Sequence, residues 1–419
     1  MSSQYGRDIS GKAFKMPAEP WWDNFDENVQ KESFPYEANL VSSMLVYLAW
    51  ALDFFILLLV GLLFLSIPLG YVVAWLGSRI GLGNLWEILS NNTKNAVFYQ
   101  KLINEKSIQE IFVEPPKNIA IVESERKPLP FISDVGFVTD LSFVSPFVTL
   151  NPALRETYTY YKNNGTAYAQ YWQHNDGPRP TVCIVHGFLM SSYGINSRLF
   201  DAKSLFEHGY NVLFYTQPFH NKKRPAYPPV SGAHFIMGSN ICNEAFAHSI
   251  FDFRIFINHL EAMGVKELGV TGISLGGQLS ALLASVEPRL QFSAPWLPTA
   301  NLADNLTRWP GLGLYLRTQH KLGGETLSQI RHTLALTSPL SYQPLLDNER
   351  LRIFAGIGDR FVSPQIVQLL AHHWGDCVVR WNRHGHLSPR ASTHSKEFFE
   401  FLESIQFGHT LLPARKALG

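Results

Sequence analysis

The run LGVTGISLGGQLSALLAS, residues 268–285, decides the fold. An apolar strand over Leu268–Thr271 meets Gly272-Ile273-Ser274-Leu275-Gly276-Gly277, and a helix of small residues follows over Gly277–Ser285. The G-x-S-x-G pattern alone is common; between a strand and a helix it acquires a mechanism. A serine carried on so sharp a bend needs neighbours without bulk two positions away, which glycine supplies. The helix that opens there aims its N-terminal N–H groups at negative charge developing beside the serine.

Working outward, three further loops each follow an apolar strand. His186-Gly187-Phe188 comes after Thr181–Val185. An oxyanion needs two N–H donors; Leu275, directly after the serine, offers one and Phe188 is placed for the other. His186 reads as structural. Gly356-Ile357-Gly358-Asp359-Arg360 follows Leu351–Ala355, and Asp359 is the carboxylate just past a strand end, where Asp347 and Asp376 are not. Arg383-His384-Gly385-His386-Leu387 follows Cys377–Trp381. His386, after the glycine, is the expected base, and His384 is its rival.

The remaining pattern alternates strand and helix. A hairpin is expected from Thr157–Tyr161 and Ala167–Trp172 across Asn164-Gly165. Helices are expected over residues 197–208, Ser249–Met263, Pro364–Trp374 and His394–Ile405, and strands over Asn211–Tyr215 and Leu290–Ala294. Such alternation, with continuous apolar strand runs, predicts an α/β fold with a mostly parallel sheet covered on both faces.

The order Ser274, Asp359, His386, with HGF, GISLGG, GIGDRFVSP and RHGHL in sequence, resembles the α/β-hydrolase superfamily over about residues 156–407. Residues 216–240, with Gln217-Pro218-Phe219-His220 and Phe235-Ile236-Met237-Gly238, are more distantly similar to the family of hydrolase-domain-containing protein 18, although the HGF form departs from that family's oxyanion loop. The resemblance implies an α/β-hydrolase fold, a Ser274–His386–Asp359 triad, backbone oxyanion donors Phe188 and Leu275, no cofactor and no metal, and a cap inserted at about 295–349. Trp296, Leu297, Leu302, Leu306, Trp309, Leu312, Leu314, Tyr315 and Leu316 fill that cap. They suit an apolar acyl substrate, or pack the cap onto the sheet. Asp304 and His320 read as surface residues, and Lys222-Lys223-Arg224 as a solvated turn or a contact for anionic headgroups.

The chain divides into a polar arm (1–40, with Trp21-Trp22), an apolar segment (41–80), a helical stretch and Pro-rich linker (81–155), the 156–407 domain and a tail (408–419). Phe54 to Leu76 carries no charge and as a helix reaches roughly 34 Å, enough for a bilayer core. Gly61, Pro68 and Gly70 leave a hairpin as the alternative to a single span, with Asp53 at its edge. Arg79, Lys94, Lys101 and Lys106 follow the segment, which favours a cytoplasmic side for the catalytic domain. Hydrophobic residues make up 46% of the 419 and charged ones 16%, in keeping with membrane contact, and a net charge of +1 gives no reason to expect nucleic acid. Cys183, Cys242 and Cys377 have neither metal nor disulfide spacing.

These readings predict a serine hydrolase that cleaves a lipophilic carboxylic ester beside a membrane. Acyl transfer to an alcohol through the same triad remains an alternative, and a membrane-tethered scaffold a third.

Overall fold

The computed structural model describes residues 5–7, 13–15, 20–32, 43–59, 82–129, 135–189, 191–225, 231–309, 313–314, 317–318, 321, 324–387 and 391–408. A hairpin of β1 (Tyr5–Arg7) and β2 (Ala13–Lys15) stands apart from a ten-stranded sheet. That sheet holds β3 (Val122–Glu123), β4 (Lys127–Pro128), β5 (Gly136–Val144), β6 (Thr166–His174), β7 (Thr181–Val185), β8 (Asn211–Thr216), β9 (Leu268–Ile273), β10 (Leu290–Trp296), β11 (Arg352–Gly356) and β12 (Val378–Asn382). Its order is β12-β11-β10-β9-β7-β8-β6-β5-β3, with β4 also on β5. Strands β7 to β12 are mutually parallel, and β6 joins β8 antiparallel.

Every residue of β7, β8 and β9 is buried, as expected of central strands with helices over both faces. One face carries the helices Ser239–Ala262 and Leu275–Val286. The other carries the short helices after β7 and the helix Ala391–Ser404, packed through Phe200, Phe206, Phe398 and Phe401. All three cysteines are buried and free.

Several expectations need correction. The residues 157–161 are no strand: Arg155–Thr159 is a helical turn, opened by Pro152 and by Asn151, whose side chain accepts from the Ala153 N–H. The partner of β6 is β5, paired along all nine residues and lying inside the stretch expected to be an irregular linker. Its Thr139, Leu141 and Phe143 alternate inward and are buried. The helix expected over 197–208 breaks into Tyr193–Leu199 and Ala202–Glu207 at Asp201, whose φ is 47°. The helix expected from Ser249 begins ten residues earlier, at Ser239.

Charged groups assigned to the surface are interior. Lys223 is fully buried with its ammonium 2.8 Å from Asp252. Asp304 is buried and holds Arg331 at 2.7 and 2.8 Å, and Arg331 also reaches Asp26 in the N-terminal arm. His320, Leu312, Tyr315 and Leu316 lie outside the described residues. Residues 20–32 of the arm pack on the domain: Trp21 donates to the Ser341 hydroxyl at 2.8 Å, Trp22 stacks on His332, and Phe25 is completely buried. Residues 331–341 are thereby tied to residues 21–26.

Residues 43–59 form a helix lying on the domain. Asp53 and Leu57 face inward, while Met44, Leu45, Tyr47, Leu48, Leu52, Phe54, Phe55 and Leu59 are exposed. Residues 60–81, most of the expected spanning segment, lie outside the described residues. Among the described residues, no helix is long and apolar enough to cross a membrane.

Candidate active site

Parallel pairing places the ends of β7, β9, β11 and β12 along one rim. Val185 is in register with Gly272, and Gly356 with Asn382. Loops leaving these strands meet where ligands collect in open α/β sheets.

Ser274 occupies the bend between β9 and the helix Leu275–Val286 with φ 57° and ψ −112°, a conformation few side chains adopt. Its N–H donates to the Trp296 carbonyl at 2.8 Å, and its own carbonyl accepts from Gln278 at 2.9 Å. The flanking glycines are required by close approach. A Cβ on Gly272 would lie 2.5 Å from the Gly276 carbonyl oxygen, and one on Gly276 would run into the carbonyls of Val185 and His186.

The structure brings the three predicted side chains into one line. Ser274 Oγ donates to His386 Nε2 at 2.8 Å, and His386 Nδ1 donates to Asp359 Oδ2 at 2.7 Å. Asp359 Oδ1 accepts the N–H groups of Phe361 and Val362, both at 2.8 Å, which fixes the carboxylate. Asp359 and His386 are buried and Ser274 is half-buried. Burial works against a charged imidazole. The charge and hydrogen bond of Asp359, helped by the charge of Asp53, outweigh it and hold His386 above its ordinary value.

The rivals lie elsewhere. Asp347 and Asp376 are exposed. His384 is half-buried and contributes its backbone carbonyl, which accepts from Gly358 at 3.1 Å. His186 is buried with Nδ1 donating to the Gly187 carbonyl at 2.9 Å and Nε2 accepting from the Gln217 N–H at 3.1 Å. Burial pushes it down to about 4, so it is neutral at ordinary pH. Leu275 is the first residue of the helix after the bend, and Phe188 lies in the loop after β7, the strand paired with β9.

Aromatic residues wall the site. Phe361 stacks on the His386 ring at 4.7 Å, and Trp309 of the cap meets Phe361 edge-on at 5.2 Å and Phe188 at 6.3 Å. Phe235 packs against Phe188 at 5.0 Å. Among the described residues no cluster of His, Cys, Asp and Glu could hold a metal ion.

Sequence reasoning missed two neighbours. Phe361 carried no signal beyond following Asp359. Asp53, a lone carboxylate in an apolar run, did carry one: it is fully buried against the histidine loop.

A model of the family described as alpha/beta hydrolase domain containing 18 matches residues 173–307. An uncharacterised protein of Mycobacterium tuberculosis, in strains CDC 1551 / Oshkosh and ATCC 25618 / H37Rv alike, is 31% identical over 238 residues, 54% of this chain and 54% of that protein. The chain therefore spans about half the length of the curated relatives it matches. Acetyl xylan esterase 1 from Thermoanaerobacterium sp. JW/SL YS485 superposes with a TM-score of 0.51 at 17% identity, over 78% of this chain and 99% of that one, a likeness of fold. Sheet order, the serine bend and these likenesses give the chain an α/β-hydrolase fold, with a distant similarity over residues 173–307 to the alpha/beta hydrolase domain containing 18 family.

Proposed function

We propose that this α/β-hydrolase is a serine esterase that cleaves a lipophilic carboxylic ester through an acyl-enzyme on Ser274. The observation that carries the reading is the continuous hydrogen-bonded line Ser274–His386–Asp359 at 2.8 and 2.7 Å. His386 Nε2 takes the serine proton as Oγ bonds to the ester carbonyl carbon. The N–H groups of Leu275 and Phe188 receive the oxyanion. The intermediate collapses, the C–O bond to the alcohol breaks, and His386 returns the proton to that alcohol. Water, deprotonated by His386, then attacks the acyl carbon and releases the acid and free Ser274. Asp359 keeps the imidazole oriented and stabilises its charged form.

The apolar character of Phe188, Phe235, Trp309 and Phe361 supports a long or bulky acyl group. The exposed apolar face of residues 43–59 supports a domain that works against a membrane. The basic residues Arg79, Lys94, Lys101 and Lys106 favour its cytoplasmic side.

A fluorophosphonate probe is expected to label the wild-type chain and not Ser274→Ala; equal labelling of both would end the acyl-enzyme reading. The pH dependence has a definite sign. The base must be neutral to act, and its folded value is raised, so kcat/KM on a soluble ester falls as pH drops through a midpoint above about 6.5. Asp359→Asn should lower that midpoint and cost about 10⁴-fold in kcat; a midpoint that does not move would remove Asp359 from its role. For the membrane, flotation with anionic lipid vesicles should carry the full chain, and Leu48→Asp with Phe55→Asp should weaken it. A wild-type chain that stays at the bottom of the gradient would contradict that part.

A further inference from the structure

The helix over residues 43–59 has one charged residue, Asp53, and that residue points into the domain beside Leu57 while most of the large apolar residues point out. This reverses the usual arrangement of a surface helix. A buried carboxylate is costly unless its oxygens are satisfied. Here Oδ2 accepts the backbone N–H of His386 at 2.6 Å and that of Arg360 at 3.2 Å, and Oδ1 accepts the N–H of Leu387 at 3.2 Å. One side chain thus clasps the acid loop and the histidine loop together. The backbone is shaped to admit it: a Cβ on Gly385 would lie 2.6 Å from Asp53 Oδ2, and one on Gly358 would lie 3.1 Å from Ala49 Cβ. Arg360 lays its guanidinium 4.6 Å from the centre of the Trp50 ring, a second contact between the helix and the acid loop.

Resting on the acyl-enzyme reading above, we propose that Asp53 is a positioning residue: delivered by the apolar helix, it fixes the backbone of His386 while Asp359 fixes the ring. The imidazole is then held at both ends, by its main chain and by Nδ1. Without the clasp the loop 383–387 is free to shift relative to Ser274, and a displacement near 1 Å costs about 100-fold in rate. The carboxylate has a second effect. Burial and the charge of Asp359 hold Asp53 above the ordinary carboxylate value, against the N–H bonds that lower it, and its negative charge favours the protonated imidazole. The polar and charged groups facing His386 are Asp53 from the helix, Asp359 from the acid loop, and Ser274 from the bend, with Phe361 stacked on the ring.

The test uses the full chain with p-nitrophenyl butyrate and follows kcat, KM, the pH profile and the far-UV circular dichroism melt of each variant. Asp53→Ala should lower kcat about 100-fold with KM changed less than about threefold. Asp53→Asn, which keeps an acceptor oxygen and loses the charge, should recover part of that loss and lower the midpoint of the acid limb. Gly385→Ala, which pushes the clasp apart without touching its charge, should resemble Asp53→Ala, and the double variant should be no worse than either. Wild-type kcat and an unmoved acid limb in Asp53→Ala and Asp53→Asn would overturn the proposal. If Asp53→Ala does not fold, the same result in Asp53→Asn alone overturns it. Turnover surviving in Ser274→Ala would sink the acyl-enzyme reading instead, whereas an inactive Ser274→Ala beside a fully active Asp53→Ala would sink only the positioning role.

Discussion

Ser274 holds φ 57° and ψ −112°, a backbone state that costs on the order of 1–3 kcal/mol and lasts only where the surroundings enforce it. The enforcement comes from the sheet. β7 and β9 run side by side in register, and the carbonyls of Val185 and His186 close over Gly276 so tightly that no side chain fits. The Trp296 carbonyl, at the end of β10, takes the Ser274 N–H. The serine is therefore aimed by three neighbouring strands, and the loop after β7 and the helix after Ser274 take their places from the same contacts. Loosening any of these strands releases the strain and the hydroxyl with it.

The electrostatics follow from where the loops land. Asp359 and His386 are buried, so their attraction is little screened, and Asp359's other oxygen is tied to two backbone N–H groups. The same economy of buried charge recurs away from the site. Lys223 is closed off against Asp252, and Arg331 bridges Asp304 of the cap and Asp26 of the arm. These pairs contribute more to fixing which segment lies on which than to net stability, because desolvation offsets most of their attraction. A buried ionic group thus joins residues 304 and 331 to residue 26, and another joins the apolar helix to the loops carrying Asp359 and His386.

How much of this was legible depended on the range of the interaction. The bend at Ser274, the two loops carrying Asp359 and His386, and the parallel order of β7 to β12 are written in local pattern: apolar strand, glycine, polar residue, helix. The strands β7 to β12 appeared within two residues of their expected places, whereas the helix expected from Ser249 starts ten residues earlier. The outer part of the domain was not legible, because β5 lies in a stretch punctuated by prolines and its pairing with β6 spans a helical turn. The turn at Arg155–Thr159 was misread since strand-like Thr and Tyr outweighed the cap at Asn151. Lys223, Asp304 and Asp53 were misplaced for a common reason. Each is charged, and a charge reads as surface or edge until its partner, tens to hundreds of residues away, is known. Asp53 in particular stood at the margin of an apolar run, and nothing local said that its oxygens meet the backbone of residues 360, 386 and 387.

The central claim is that Ser274 bonds to the acyl carbon, and the most direct measurement is the mass of the protein during turnover. A p-nitrophenyl ester of a medium-chain acid, quenched with acid within the first turnovers, should leave a single acyl group on the chain. Proteolysis should place that group on the peptide containing Ser274. Ester cleavage with no acyl adduct trapped there, or with the adduct on another residue, would contradict the account.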